Sequence, residues 1–295
     1  MYGNENRRSI LKMYKIKFIT TVFISIIICF TGSALSKGVG KLYVVGMGPA
    51  GPDLTAPRAL EIVEKADVLL CSPRMPQRFA AFGRTIDPQK IAFDPFKRIF
   101  NNDLEKLKRT DPKAWAKRME NHRKEIQAFL LEKIHEGKTV AMMDGGDPCL
   151  YGPSLEYLLT GFDADLFEVI PGMGAVNAAA AALKRSLTQN GSRFVMLTSY
   201  ESLFGNGPEA REDLLADLVR YKFTLILYMS LHSMKDLVER FEKYCPNDLP
   251  VAIVYFAGYP KKETVVRGTL KNIEQEVRKR DENWLGLVII GEPAG

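Results

Sequence analysis

Histidine and cysteine are scarce in this chain of 295 residues, and the few present are widely spaced. It has three histidines and four cysteines, and one of the cysteines, Cys29, lies within the first 36 residues. The others, Cys71, Cys149 and Cys245, form neither a paired disulfide framework nor a zinc motif. The sequence therefore predicts no metal site.

A large charge excess is also missing from most of the chain. The net charge is +6, but the first 36 residues contain five basic residues and one acidic residue, so the remainder carries only +2. This near balance argues against a nucleic-acid partner, which would need a surplus of Lys and Arg to contact phosphates. Hydrophobic residues make up 46% and charged residues 26%, values typical of a folded globular protein.

The apolar stretch near the N-terminus is too short for an ordinary membrane span. Phe18–Gly32 has fifteen uncharged residues, which as a helix cover about 22 Å of a hydrocarbon core roughly 30 Å thick. Basic residues precede it, and the small-residue site Ala34-Leu35-Ser36 follows. We predict a signal-like leader over 1–36, with membrane contact limited to it. The protein is then periplasmic or extracellular if the leader is cleaved, membrane-anchored if it is not, and cytoplasmic if the start site is wrong.

From Lys41 onward, short apolar runs alternate with helical patterns, which favours an α/β fold with a largely parallel sheet. We predict an N-terminal α/β domain over 41–162 and a C-terminal α/β domain over 166–295. The predicted strands are Leu42–Val45, Val68–Cys71, Thr139–Met143, Phe167–Ile170, Phe194–Thr198, Leu225–Met229, Val251–Phe256, Val265–Leu270 and Leu287–Ile290. The predicted helices include Pro57–Lys65, Glu209–Arg220, Met234–Lys243 and Ile273–Arg280, and the charged residues 97–136 are interpreted as a solvated helical excursion.

The first glycine-rich loop, residues 46–51, matches the dinucleotide fingerprint G-x-G-x-x-G. That fingerprint needs a helix that starts within the glycines and offers amides to a pyrophosphate. Pro49 and Pro52 have no amide hydrogen, and the helix is predicted to start only after Thr55 as its N-cap. Dinucleotide binding is therefore disfavoured.

Two more glycine-rich loops follow predicted strands. Residues 144–152 read Asp-Gly-Gly-Asp-Pro-Cys-Leu-Tyr-Gly, and residues 170–175 read Ile-Pro-Gly-Met-Gly-Ala. Ligands of open α/β sheets bind at the carboxyl ends of strands, and glycines allow a close backbone approach. These loops are therefore candidate ligand-binding segments, although glycine turns and close helix packing explain them equally well.

Taken in order, these segments resemble the tetrapyrrole (corrin/porphyrin) methylases. The resemblance covers about residues 41–293 and continues through Tyr228-Met229, Pro250–Tyr255, Arg267–Leu270 and Val288–Gly291, with the stretch from 250 to 269 most similar to precorrin-4 methyltransferases. It implies two α/β domains with S-adenosylmethionine (SAM) in the cleft between them, a tetrapyrrole substrate and a homodimer.

Site residues are carried over from the family by position. The resemblance implies cofactor contacts from Pro49, Gly145, Gly146, Asp147, Leu150, Gly174, Ala175, Met229 and Ala257. Tyr151 is the candidate general base, with a packed aromatic as the equal alternative. Arg74, Arg78 and Arg193 are candidates for pairing with substrate carboxylates, although surface arginines are commonly just solvated.

The chain also departs from the family pattern. Ala50 and Gly51 stand where Gly-Asp is common, Gly174 where Ser or Thr is usual, and Ser72-Pro73-Arg74 where many relatives have an Asp. These differences put the identity of the substrate in more doubt than cofactor binding. Two alternatives stay open: a non-catalytic, exported or membrane-anchored tetrapyrrole-binding protein, and a family member that methylates another substrate.

Overall fold

The computed structural model describes residues 40–99, 102–188, 194–204, 214, 215, 218 and 221–295. The leader over 1–36, Arg193 and most of the helix predicted over Glu209–Arg220 lie outside these residues. In the described part of the chain, no helix is both long and apolar enough to cross a bilayer.

The first sheet is fully parallel, as the alternating pattern predicts. Its strands are β1 (Lys41–Gly46), β2 (Val68–Leu70), β3 (Ile91–Phe93), β4 (Thr139–Asp144) and β5 (Phe167–Ile170), in the order β3-β2-β4-β1-β5. The central strands β1 and β4 are buried along nearly their whole length. They carry the apolar runs that a strand covered on both faces requires.

Helices cover both faces of this sheet. One face packs against α1 (Pro57–Lys65) and α2 (Arg74–Ala80) through buried residues that include Val63 and Phe79. The charged stretch forms α3 (Asn102–Thr110) and α4 (Pro112–His135). Leu130 and Ile134 of α4 are fully buried against the opposite face, so this stretch is part of the core as well as a solvated surface.

Thr55 is not the N-cap of α1, contrary to the prediction. The N-cap is Ala56, and the Thr55 hydroxyl donates instead to the Met47 carbonyl at 2.7 Å. A turn of 3₁₀ helix at Pro52–Leu54 separates the glycines from α1. No helix therefore starts within the first glycine loop, which agrees with the argument against a dinucleotide.

The change between sheets falls later than the predicted boundary at 162–166. β5 pairs with β1 in the first sheet, because Leu42–Val45 lie in register with Phe167–Ile170. The next helix, α5 (Ala175–Leu183), packs on the second sheet through Val176, Ala179 and Leu183. The chain therefore passes from one sheet to the other through residues 171–174.

The second sheet is mixed. It contains β6 (Phe194–Ser199), β7 (Phe223–Tyr228), β8 (Pro250–Tyr255), β9 (Thr264–Thr269) and β10 (Gly286–Gly291), in the order β6-β7-β10-β8-β9. β8 and β9 pair with each other in antiparallel orientation. β10 lies antiparallel between β7 and β8, which makes this half less parallel than expected.

The described part of the second half also contains α6 (Tyr200–Phe204), α7 (Met234–Phe241) and α8 (Ile273–Arg278). Phe241 of α7 and Ile273 of α8 are fully buried on the sheet face opposite α5. Each sheet is thus enclosed between two apolar layers, and the polar loops at the strand ends are left to form a site.

Candidate active site

The loops after β1 and β4 are joined directly to each other. The Gly48 amide donates to the Gly146 carbonyl at 3.2 Å, and the Gly146 amide donates to the Gly48 carbonyl at 2.8 Å. This reciprocal pair lies at the carboxyl edge of the first sheet, where ligands of α/β folds bind. Two segments about a hundred residues apart in sequence therefore form one structural unit.

Glycine is required here for two different reasons. A Cβ on Gly172 would lie 2.2 Å from the Gly146 carbonyl oxygen, so the loop after β5 packs too closely for a side chain. Gly146 itself has a φ of 79°, and a Cβ placed on it would meet nothing within 4 Å. Gly172 closes the junction of the three loops, and Gly146 faces open space.

Arg78 of α2 stabilises the first glycine loop by hydrogen bonds to its backbone carbonyls. Its Nε donates to the Ala50 carbonyl at 2.5 Å and its Nη2 to the Gly48 carbonyl at 2.9 Å. The guanidinium also lies over the Tyr259 ring, 5.9 Å from the centroid. The substrate role predicted for Arg78 stays a prediction, and the structure gives this side chain contacts that position the loop.

The second loop is closed by a buried carboxyl group. Asp144, at the end of β4, is fully buried, and its Oδ1 accepts a hydrogen bond of 2.6 Å from the Ser154 hydroxyl. Burial raises the pKa of Asp144 to about 7, and the Ser154 hydrogen bonds oppose this rise. The pair joins the two ends of the segment that contains four of the nine predicted cofactor contacts.

Within that segment, Asp147 stabilises the turn, and the side chain of Leu150 is exposed to solvent. Asp147 Oδ1 accepts from the Cys149 amide at 2.8 Å, as in an Asx turn. The Leu150 side chain is 40% exposed and would lie 3.5 Å from a Cβ on Gly174. Apolar surface is therefore exposed on the same loop as Gly146. We call the open space in front of Gly146 the glycine shelf.

The second half contributes the opposite wall. Met229 follows β7 and is 36% exposed, and Ala257 and Gly258 follow β8. A Cβ on Gly258 would lie 2.7 Å from Leu54 Cδ1 and 3.3 Å from Pro49 Cγ. The loop after β8 therefore contacts the loop after β1, which brings the two sheets together at this cleft.

Three residues around the cleft have left-handed backbone without being glycine. The φ angles are 58° at Tyr151, 51° at Met229 and 49° at Phe256. At Met229 the neighbouring Ser230 maintains the conformation, because its hydroxyl donates to the Tyr228 carbonyl at 2.8 Å and accepts from the Tyr200 amide at 2.9 Å. Such conformations cost free energy and concentrate at functional sites.

Two tyrosines meet across the two halves. The rings of Tyr151 and Tyr228 have centroids 5.0 Å apart. Burial raises the pKa of Tyr228 to about 12, and partial burial also raises the pKa of Tyr151. A phenol releases its proton less readily as its pKa rises, and the general-base role predicted for Tyr151 stays a prediction.

The structure brings most of the predicted cofactor residues to one place. Pro49, Gly145, Gly146, Asp147, Leu150, Gly174, Met229 and Ala257 lie on the loops after β1, β4, β5, β7 and β8, and Ala175 begins α5 directly beside them. Arg74 is an exposed residue at the start of α2. Arg193 lies outside the described residues, and no metal-binding cluster of His, Cys, Asp or Glu occurs within them.

A cavity of 330 Å³ opens next to Tyr151 and Met229. Its other lining residues come from α3, the one-turn π-helix at Ser154–Leu158, the end of β6 and the start of α6: Lys108, Glu156, Tyr157, Ser199, Glu201 and Ser202. Sequence reasoning missed this set, because its charged members look like ordinary solvated residues. It also missed Asp144, although an acidic residue ending an otherwise apolar strand was a visible signal.

These features define a two-sheet α/β protein with a ligand cleft between the sheets, built from glycine loops at strand ends. The profile of the tetrapyrrole (corrin/porphyrin) methylases matches residues 41–274, and the chain belongs to this family. The predicted family and fold class are therefore confirmed.

Curated relatives and solved structures agree with this assignment. The chain is 29% identical over 256 residues to a cobalt-precorrin-4 C(11)-methyltransferase of Priestia megaterium, covering 85% of this chain and 87% of the relative. A solved cobalt precorrin-4 methyltransferase aligns with a TM-score of 0.67 at 26% identity, over 90% of this chain and 100% of the other. A Thermus thermophilus uroporphyrin-III C-methyltransferase complexed with S-adenosylhomocysteine aligns with a TM-score of 0.58 at 22% identity, over 86% and 98% of the chains, and shows the fold alone.

Proposed function

We propose that the protein is a SAM-dependent methyltransferase acting on a tetrapyrrole of the precorrin or porphyrin type. The observation that carries this proposal is the open space in front of Gly146, in a cleft where Leu150 and Met229 expose apolar surface from the two halves, in a chain whose curated relatives are named tetrapyrrole methyltransferases. The loop that contains Gly146 also contains Tyr151, which lines the cavity, so the same loop can contact a methyl donor and an acceptor.

The residues present fit the cofactor. Adenine needs apolar walls, and Leu150 and Met229 expose 40% and 36% of their surface at the cleft. SAM has no phosphate, so it does not need the backbone amides of a helix N-terminus. The first glycine loop, residues 46–51, in which no helix starts, is therefore compatible with SAM binding. When bound, SAM supplies a methyl group on a positively charged sulfur. The protein contributes mainly by positioning, because alignment of reacting groups can supply about 7–11 kcal/mol of a barrier.

The test is binding of S-adenosylhomocysteine (SAH) measured by calorimetry on wild type, Gly146→Val and Gly161→Val. Both glycines have a left-handed φ, 79° and 77°, and both would place a Cβ in open space. Each substitution therefore carries a similar backbone cost, about 1–2 kcal/mol, but only Gly146 faces the cleft. We expect wild type and Gly161→Val to bind SAH and Gly146→Val to lose binding.

Two results would contradict the proposal. Wild type that gives no heat at millimolar SAH does not use this cofactor. Equal binding by Gly146→Val and Gly161→Val would remove the glycine shelf as the cofactor site.

We also propose that the leader over 1–36 directs export. The basic stretch, the fifteen uncharged residues of Phe18–Gly32 and the small-residue site support this proposal. N-terminal sequencing of native protein should find a start near Lys37. An intact Met1 chain in the cytosol would contradict export and restore an ordinary biosynthetic location.

A homodimer is proposed on a separate observation. β6 is an edge strand with Phe194 50% and Leu197 38% exposed, and Tyr221 packs edge-on against Phe194 with ring centroids 5.3 Å apart. Sheet edges with exposed apolar residues favour association. Sedimentation should give twice the chain mass for wild type and for the control Trp284→Glu, which alters an exposed aromatic residue elsewhere. Phe194→Glu should be monomeric; a wild-type monomer contradicts the proposal.

A further inference from the structure

The cavity beside Tyr151 and Met229 has an uneven distribution of charge. Of the described residues that line it, Lys108 carries the positive charge, and Glu156 and Glu201 carry the negative charges. Its exposed residues leave it open to solvent. At 330 Å³ it lies near the lower end of ligand pockets, so it suits one edge of a large ligand and its substituents.

Lys108 is held in place from two directions. Its Nζ lies 3.6 Å from Glu201 Oε2 on α6 and 5.5 Å from the centroid of the Trp115 ring on α4. The ion pair joins α3 of the first half to α6 of the second half, directly over the cavity. The side chains of Lys108 and Glu201 are 36% and 56% exposed, so their attraction is weakened by solvent.

We infer that Lys108 receives a carboxylate of the methyl acceptor and that Glu201 occupies this position in the free protein. A partly exposed pair separated by 3.6 Å is readily exchanged for a ligand carboxylate that enters with better geometry. Glu201 then repels the incoming carboxylate electrostatically, so it lowers the affinity of the site for the ligand. This inference rests on the proposed function and adds the residues that select the acceptor.

Porphyrin fluorescence gives a direct test that does not depend on turnover. Wild type, Lys108→Ala, Glu201→Gln and Lys106→Ala are titrated with uroporphyrin in the presence of SAH. Lys106 is the matched control, because it is an exposed lysine of the same helix outside the cavity. The fully esterified porphyrin serves as the control ligand, since it lacks carboxylates.

Lys108→Ala should weaken uroporphyrin binding by about tenfold or more, the loss typical of a hydrogen bond to a charged group. Glu201→Gln should strengthen binding by about threefold or more, since a repulsive charge is removed. Lys106→Ala should bind like wild type, and binding of the ester should be the same for all four proteins. Melting temperature and SAH affinity are measured on each variant to confirm folding.

The possible failures are distinguishable. If wild type binds SAH but Lys108→Ala binds uroporphyrin as tightly as wild type, the role of Lys108 is wrong and the methyltransferase proposal stands. Weaker binding by Glu201→Gln would contradict the competition between Glu201 and the ligand. If wild type binds SAH and no uroporphyrin, this inference is overturned and another acceptor is required. Failure to bind SAH at all counts against the proposed function itself.

Discussion

Arg74 and Arg78 lie one turn apart on α2 but have different surroundings. Arg74 is exposed, whereas Arg78 donates to the carbonyls of Gly48 and Ala50 in the first glycine loop. Arg78→Ala should therefore lower the free energy of unfolding by about 1–3 kcal/mol and weaken SAH binding, because the loop loses its support. Arg74→Ala should change neither quantity. Urea denaturation and calorimetry check both, and equal behaviour of the variants would contradict the loop-supporting role.

Asp144 makes the stability of the protein depend on pH in a defined direction. Its pKa is raised from 3.8 to about 7 by burial, so the folded protein binds a proton there that the unfolded chain releases between about pH 4 and 7. This group therefore stabilises the fold least at high pH. Asp144→Asn removes the titration, and its melting temperature should rise relative to wild type as pH increases from 5 to 8.

The control for this measurement is Asp163→Asn, which alters an exposed carboxylate. Asp163 accepts from the Asp165 amide at 3.0 Å at the surface. Its variant should keep the same pH dependence as wild type. A melting-temperature difference between Asp144→Asn and wild type that is constant across pH would show that Asp144 does not titrate in this range.

Among the elements, α5 packs against the second sheet partly through alanine. Ala179 is fully buried between Val176 and Leu183, while Ala181 is exposed on the same helix. Ala179→Leu should reduce the free energy of unfolding by about 1–3 kcal/mol, since the added volume forces the helix away from the sheet. Ala181→Leu should stay within about 0.5 kcal/mol. Urea denaturation of both variants compares them, and equal destabilisation would be inconsistent with this packing.

Elements with a strong local pattern were predictable from the sequence. The apolar runs of β1, β4 and β5 are found within one or two residues of their predicted bounds. The antiparallel placement of β10 between β7 and β8 was not predictable. An apolar run indicates that a strand is buried, but it does not indicate which strands are its neighbours. The assignment of β5 to the first sheet was missed for the same reason.

In the candidate site, too, features with a local sequence pattern were predictable and contacts between distant residues were not. The glycine loops were identified because glycine and proline leave a local signal. Arg78 contacts Ala50 and Gly48, which lie 28 and 30 positions earlier in the sequence. Lys108 contacts Glu201, which belongs to the other half of the chain. Such contacts depend on how distant elements pack, so a single sequence does not reveal them.

For the whole molecule, SAH should protect both halves at once. The loop containing Gly146 and the loops containing Met229 and Ala257 come from different sheets but border the same cleft. Hydrogen exchange with SAH present should slow in residues 145–152, 229–230 and 256–258, because the ligand bridges them. The surface turn at 160–163 should exchange at an unchanged rate. Protection confined to one half would contradict a site shared by the two sheets.

β10 sets the order in which the two sheets of this protein can be completed. The first sheet has all its described strands once residue 170 has been synthesised, but the central place in the second sheet belongs to residues 286–291, the last strand that the structure describes. Until that strand leaves the exit tunnel, β7 and β8 have no partner between them, and the wall carrying Met229 and Ala257 stays unfinished. A chain released before residue 286 would carry open strand edges, which are targets for aggregation and proteolysis. The cleft therefore cannot be completed before residues 286–291 have joined the second sheet.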